Sequence, residues 1–203
     1  MPIALTEIPM SPAPVDPPRK RWTRRECATL ELSGLLDQQR VELVEGELIS
    51  KMGKKRPHVN ALTLVQGWLV QVFGLRFVNA EAPIDVAPED NPTNEPEPDL
   101  IVLKQDLSHF TSNPRAQDLR LVVEIADTSL NFDLTVKAAL YARAGVLEYW
   151  VLDVIGRRLL VHRNPQSGRY ADIVVYAEHE RVSPLAASSA SFQVADAFPG
   201  TQA

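Results

Sequence analysis

The sequence predicts an α/β protein, a single domain in which helices flank a mixed β-sheet. The runs DLIVL (99–103) and LRLVVEIA (119–126) are rich in β-branched and apolar residues, as expected of strands at the centre of a sheet. A helical pattern that ends at Gly145 separates the second run from another strand-like segment, LEYWVLDV (147–154). Strand, helix and strand therefore form one crossover unit of the sheet.

Composition narrows the class of protein further. The chain has 203 residues, of which 45% are hydrophobic and 23% charged, a balance that supports one compact core. A single cysteine, Cys27, and the lack of a long apolar run exclude a disulfide scaffold and a membrane span. The formal charge of −5 argues against binding nucleic acid through a broad basic surface. The N-terminus lacks the pattern of a signal peptide, so a cytoplasmic location is expected.

The beginning of the chain differs from the rest. Residues 1–20 contain six of the sixteen prolines and show neither helical nor alternating periodicity. We therefore expect a disordered, proline-rich tail over residues 1–21 and one domain over 22–203.

The first elements of the domain have clear local signals. A capping-box spacing at Thr23 predicts a short helix that ends near Gly34. RVELVEGELIS (40–50) alternates apolar and acidic residues about a glycine, which predicts a hairpin or a bent strand. From 58 to 73 apolar residues recur every three or four positions, which predicts a helix of about four turns.

The remaining elements complete the sheet. RFVNAEAPIDV (76–86) has the composition of a strand that ends in a polar, proline-bearing loop. The crossover helix is expected to be capped by Ser129 or Asn131 and to continue to about Ala144. The turn PQSG (165–168), between two strand-like runs, predicts a closing hairpin.

Two acidic residues stand in apolar surroundings. Asp99 precedes LIVL, and Glu124 interrupts LVVEIA. A buried carboxylate without a partner costs several kcal/mol, so Glu124 must meet a cation, a cluster of donors or water. The alternative is a solvated strand end, or a structural ion pair with Arg120 or Arg143.

The crossover helix carries charges on its apolar background. Asp133, Lys137 and Tyr141 are spaced i, i+4 and i+8, near one stripe of a helix that packs on the strand carrying Glu124. Lys137 can therefore reach the same site as Glu124. The alternative is an Asp133–Lys137 surface pair worth only about 0.3–0.5 kcal/mol, with Tyr141 serving as core packing.

Several ordered motifs together resemble a known family, the Uma-type restriction endonucleases of the PD-(D/E)XK nuclease superfamily. The resemblance covers about residues 22 to 185. The motifs that carry it are VELVEGEL (41–48), His58 at the start of a helix, EPDL (97–100), LVVEIADTSLNFDLTVKAALYARAGVLEYWVLD (121–153) and GRY (168–170).

The resemblance implies a restriction-endonuclease-like fold and a Mg²⁺-dependent endonuclease that hydrolyses phosphodiester bonds in DNA, with Mn²⁺ as a second usable ion. Asp99 and Glu124 would be the metal ligands and Lys137 the catalytic cation. The superfamily usually places that lysine two residues after the second acid, where this chain has Ala126. Glu42 would be an additional metal-side carboxylate and an auxiliary catalytic acid.

These residue types suit the chemistry. Phosphodiester hydrolysis needs an activated water and neutralisation of the charge that grows on the phosphate. Mg²⁺ accepts one or two carboxylates together with water and substrate oxygens. The chain contains neither CxxC nor HExxH, so a zinc site is disfavoured.

A basic segment before the second helix is the candidate DNA contact. Lys54, Lys55 and Arg56 follow Lys51 closely and can grip a phosphate backbone without base specificity. His58 can face the site or a phosphate. The alternatives are a solvated loop and a histidine that faces solvent at a helix start.

Two other functions fit the sequence less closely. The fold can bind nucleic acid or a protein partner without cutting, which agrees with the negative charge and the displaced lysine. A glycosidase would need its two acids about 5–10 Å apart and gives Lys137 no role. A homodimer is expected only because twofold assemblies are the commonest.

Overall fold

The computed structural model describes residues 18–51 and 55–199. Most of the expected N-terminal tail, residues 1–17, lies outside this part of the chain. Helix α1 (Arg24–Leu32) has the expected capping box at Thr23. The next segment is an antiparallel hairpin of β1 (Val41–Val44) and β2 (Glu47–Ser50), and the helix α2 spans Arg56–Phe73.

A six-stranded mixed sheet forms the centre of the molecule. Its strands follow the chain in spatial order, from β3 at one edge to β8 at the other. Strands β5 and β6 run parallel, and each other neighbouring pair in this sheet is antiparallel. The bounds are β3 (Val78–Ala80), β4 (Leu100–Leu103), β5 (Leu119–Ala126), β6 (Glu148–Asp153), β7 (Arg158–Gln166) and β8 (Arg169–Ala177).

The third helical segment, α3, connects β5 to β6 and is interrupted by a π-helical turn. It comprises Leu130–Phe132, the π turn Asp133–Lys137 and Ala138–Ala144, and it ends at Gly145 with φ +82°. A short pair of strands, β9 (Arg181–Val182) and β10 (Phe192–Gln193), follows the sheet. The mixed α/β domain with three helical segments confirms the predicted fold class.

Residues alternate between the two faces of the sheet. On β5, Val123 and Ile125 belong to the apolar cluster that contains residues of α2, whereas Val122 and Ala126 belong to the cluster that contains residues of α3. Glu124, at an even position, shares the α3 face. No helix in the described ranges is both long enough and apolar enough to span a membrane.

Two predicted elements differ in extent. The strand expected over 76–86 is only three residues long, because Glu81 takes a left-handed φ of +51° and interrupts the extended backbone. In the closing hairpin Pro165 and Gln166 still pair with the opposite strand, so the turn narrows to Ser167 and Gly168.

Candidate active site

The two acids flagged in the sequence meet at the end of β4 and within β5. Leu100 pairs with Val123, and the same antiparallel register, continued by one residue, places Asp99 opposite Glu124. The Asp99 backbone N–H donates to Glu124 Oε2 at 3.4 Å, and the Ile125 backbone N–H donates to Asp99 Oδ2 at 2.8 Å. Strand pairing therefore fixes both carboxylates on the α3 face.

Lys137 brings a cation to this pair. Its Nζ lies 2.9 Å from Glu124 Oε1 and 2.9 Å from Glu42 Oε1. The Tyr141 hydroxyl donates to the same Glu124 oxygen at 3.0 Å, so Tyr141 is both core packing and a partner of the acid. An ammonium has three N–H donors, and two of them are used by these glutamates.

Glu42 links the first hairpin to the segment before Asp99. Its Oε1 accepts from Lys137, and its Oε2 accepts the Glu97 backbone N–H at 3.0 Å. Both carboxylate oxygens of Glu42 are therefore bonded to protein donors. Glu45 and Glu47 lie outside this arrangement, with Glu45 in the turn and Glu47 exposed.

Burial and charge act in opposite directions on these groups. Burial raises the pKa of Glu124, while the Lys137 ammonium opposes that change. For Lys137 burial alone would lower the pKa, but the carboxylates of Glu124 and Glu42 outweigh it and raise the pKa above its ordinary value. Lys137 is therefore an ammonium over the whole physiological pH range.

Asp133 is a fourth buried acid at the site, and sequence reasoning gave it no role. Its side chain is 2% exposed and accepts from Ser129 Oγ at 2.5 Å. Burial raises the pKa of Asp133 to about 6, again opposed by Lys137. The expected alternative, an exposed Asp133–Lys137 pair, is wrong because both residues are buried.

The cations proposed as structural partners of Glu124 lie elsewhere. Arg120 donates to the Lys104 carbonyl, and Arg143 pairs with Glu45 and Asp90. The cation that contacts Glu124 is Lys137.

The basic segment divides into several environments. His58 approaches the acids from the first turn of α2, with its buried Nε2 3.5 Å from Asp99 Oδ1 and without a hydrogen bond in the described part of the chain. Lys55 is exposed and lines the cavity. Lys51 pairs with Glu97 at 3.0 Å, and Arg56 is exposed. The predicted contact Lys54 lies outside the described residues.

The acids, Lys137 and His58 line one cavity of about 300 Å³. Its charged lining comprises Glu42, Lys51, Lys55, His58, Asp99, Glu124, Asp127, Asp133 and Lys137. Ile49 and Phe132 form part of the apolar lining. The structure thus brings together all four residues predicted to be catalytic, and His58 with them.

The donor set fits Mg²⁺ as an open site. Within residues 18–51 and 55–199, no group of three or more His, Cys, Asp or Glu side chains is arranged to hold a metal ion. Mg²⁺ does not need such a cage, because it takes one or two carboxylates and fills its remaining positions with water and phosphate oxygens. Asp99 and Glu124 offer hard oxygen ligands of this kind.

The comparisons with known proteins agree with this fold. Residues 28–195 match the model of the Uma2 family, described as "Putative restriction endonuclease", and the chain belongs to that family. A solved structure, titled a "putative nuclease belonging to DUF820" from Anabaena variabilis, is similar to this chain. The two chains share 18% sequence identity with a TM-score of 0.63, and the match covers 82% of this chain and 96% of that one. No curated protein matches the sequence.

Proposed function

We propose that this protein is a Mg²⁺-dependent endonuclease that hydrolyses phosphodiester bonds in DNA. The observation that supports it best is the meeting of Asp99, Glu124 and Lys137 at the base of one cavity, although these residues come from three different elements. In the reaction water adds to phosphorus while one P–O bond breaks, which leaves a phosphate monoester and a free hydroxyl. When bound, Mg²⁺ activates water and stabilises the charge on the phosphate.

Each side chain has a distinct part in the proposal. Asp99 and Glu124 hold the ion. The third N–H of Lys137 donates to the attacking water or to a phosphate oxygen. The positive charge of the Lys137 ammonium offsets the charge that grows on the phosphate. The exposed Lys55 ammonium binds phosphate oxygens at the mouth of the cavity, and His58 Nε2 binds an oxygen of the phosphate that has entered beside Asp99.

Glu42 is a positioning residue in this proposal. Since one of its oxygens accepts from Lys137 and the other from the Glu97 backbone, it fixes the ammonium and the segment that leads to Asp99. This role differs from that of an additional metal-side acid. Replacement by Gln keeps the shape and removes the charge, so we expect Glu42→Gln to lower kcat more than it weakens metal binding.

The decisive experiment compares two buried aspartates. Asp99→Asn is expected to abolish Mg²⁺-dependent cleavage of a DNA panel and to weaken Mn²⁺ binding measured by calorimetry. Asp153→Asn is the matched control, because Asp153 is also buried at a strand end but pairs with Arg158 and the Gly156 N–H, away from the cavity. Asp153→Asn should cut at the wild-type rate. Full activity in Asp99→Asn would refute the assignment.

A non-cutting binding module on the same fold is the second candidate. The Glu124 carboxylate already accepts three protein donors, from Lys137, Tyr141 and the Asp99 backbone. Such a cluster is satisfied without a metal. Under this candidate Mn²⁺ binding is weak and does not change with Asp99→Asn.

The assembly and the location of the protein remain predictions. A homodimer would allow both strands of a duplex to be cut, and size-exclusion chromatography with light scattering tests it. A cytoplasmic location is tested by fractionation of the cells that produce the protein.

A further inference from the structure

The acids and the lysine lie at the bottom of the cavity. Asp99 is 7% exposed, Glu42 6%, and Glu124 and Lys137 3% each. A reacting phosphate must therefore enter the cavity to reach them. A volume of about 300 Å³ is at the lower end of the range for small-molecule sites, which runs from roughly 300 to 1,000 Å³. It has the scale of a site for one nucleotide.

A continuous duplex can present a phosphate to this cavity but not a base. In B-form DNA the phosphates lie on the outside, whereas every base is held in the stack and cannot reach an apolar wall inside a cavity. Enzymes that take a base into a pocket act on single strands or pull one nucleotide out of the stack, and the energetic cost is least where the base is already unpaired.

One wall of the cavity suits the apolar part of a nucleotide. Ile49 on β2 and Phe132 on α3 both line the cavity and are partly buried against the same apolar cluster, which contains Val44, Val86 and Leu140. Proteins that bind single strands combine such aromatic surfaces, on which bases stack, with cations that follow the phosphates. Lys55 and Lys51 line the same cavity.

We infer that the cavity takes one unstacked nucleotide, with its phosphate at Asp99, Glu124 and Lys137 and its base or sugar against Phe132 and Ile49. The substrate is then single-stranded or locally unpaired DNA and not a continuous duplex. This inference rests on the proposed function for the position of the phosphate. A binding measurement shows whether the protein prefers single-stranded or duplex DNA, whether or not the protein cuts it.

The first experiment measures cutting by the full chain. Labelled oligonucleotides of one sequence are offered as a single strand, as a fully paired duplex and as a duplex with an unpaired internal stretch, each with Mg²⁺ and with Mn²⁺. We expect the single strand and the unpaired stretch to be cut at least about tenfold faster than the duplex. Equal or faster cutting of the duplex overturns the inference and leaves the nuclease proposal intact.

The second experiment measures binding by fluorescence anisotropy, with Ca²⁺ in place of Mg²⁺. The single strand should bind more tightly than the duplex, and Phe132→Ala should weaken single-strand binding about tenfold by removing the stacking surface. Phe110→Ala is the matched control, because Phe110 is also partly buried but packs against the cluster that contains Ile101 and Tyr149. It should bind as wild type does, and Phe132→Leu should bind between wild type and Phe132→Ala.

The two experiments separate the two proposals. If nothing is cut but single strands still bind preferentially and Phe132→Ala loses that preference, the nuclease proposal fails and the substrate class is supported. If the duplex binds as tightly as the single strand, or if Phe132→Ala and Phe110→Ala lose the same affinity, the inference fails. Thermal melts of both variants confirm that each is folded.

Discussion

Removal of the Lys137 ammonium should destabilise the fold strongly. In Lys137→Met the Glu42 and Glu124 carboxylates, which both lie 2.9 Å from Nζ in the wild type, stay buried without their shared cation. Breaking a buried ion pair in this way costs about 3–5 kcal/mol. A methionine fills a similar volume, so the loss of unfolding free energy comes from the missing charge and not from a cavity.

Urea unfolding of the full chain measures the effect. The midpoint should fall while the m-value stays close to that of the wild type. Lys104→Met is the control, because Lys104 is an exposed lysine whose Nζ donates to the Gln117 carbonyl. It should change the stability by less than about 0.5 kcal/mol.

A double variant tests the cause. Of the two glutamates that contact Lys137, only Glu124 keeps its carboxylate in Lys137→Met/Glu42→Gln, and it retains the Tyr141 hydroxyl and the Asp99 N–H as donors. We expect it to regain about 2 kcal/mol relative to Lys137→Met. A Lys137→Met variant within about 1 kcal/mol of wild type, or a double variant that regains nothing, would show that this lysine is not the counter-ion of the buried acids.

Three further predictions concern stability away from the site. Arg24→Ala should lower the free energy of unfolding, measured with urea, by about 2–3 kcal/mol. The half-buried guanidinium donates to Asp85 at 2.7 Å and to several backbone and side-chain oxygens, which ties α1 to the domain. A loss under about 0.5 kcal/mol would contradict this. Burial lowers the pKa of His162, so the free energy of unfolding should fall as pH drops below about 6.5. For this one proton the slope against pH is at most about 1.4 kcal/mol per pH unit. The slope should shrink in H162Q, and an unchanged slope would contradict the prediction. Gly46→Ala should lower Tm more than Gly145→Ala. Both glycines have positive φ, but of the two only Gly46 would place a new Cβ within 3.0 Å of another side chain, at 2.8 Å from Arg21 Cβ. Equal losses of Tm would show that this contact relaxes freely.

The sequence located the two acids because each breaks a local rule. A charge at the mouth of LIVL and another inside LVVEIA oppose the apolar pattern of buried strands, and such conflicts are concentrated at functional sites. For one continuous strand, period two would put Glu42 on the face opposite Glu47, and that expectation is wrong. The segment is a hairpin in which Val44 pairs with Glu47, so both glutamates lie on one face. What the pattern could not supply was the register that sets Asp99 against Glu124, since these two residues lie 25 positions apart in the chain.

Asp133 shows where pattern reasoning stops. Apolar residues on the crossover helix indicate a buried stripe, and the ordinary prediction for a neighbouring Asp and Lys is exposure to solvent. The helix instead contains a π turn over Asp133–Lys137 that buries both charges. π turns are frequent at functional sites, but they depend on tertiary packing that a single sequence does not show. The sequence does place a serine four residues before Asp133, and in the structure the Ser129 hydroxyl donates to that carboxylate.

The position of the lysine has a packing explanation. Ala126 occupies the place where the nuclease superfamily that the sequence resembles usually has a lysine. It is fully buried, in the same apolar cluster as Ala138 and Tyr141 from α3. Two alanines in one cluster allow strand and helix to approach closely, so a lysine at 126 would have no volume to occupy. Because α3 lies against the face that carries Glu124, a lysine one helical turn before Tyr141 reaches the same carboxylate oxygen that the tyrosine reaches. The helix thus places the Lys137 ammonium beside the acids, and the close packing at Ala126 does not prevent that contact.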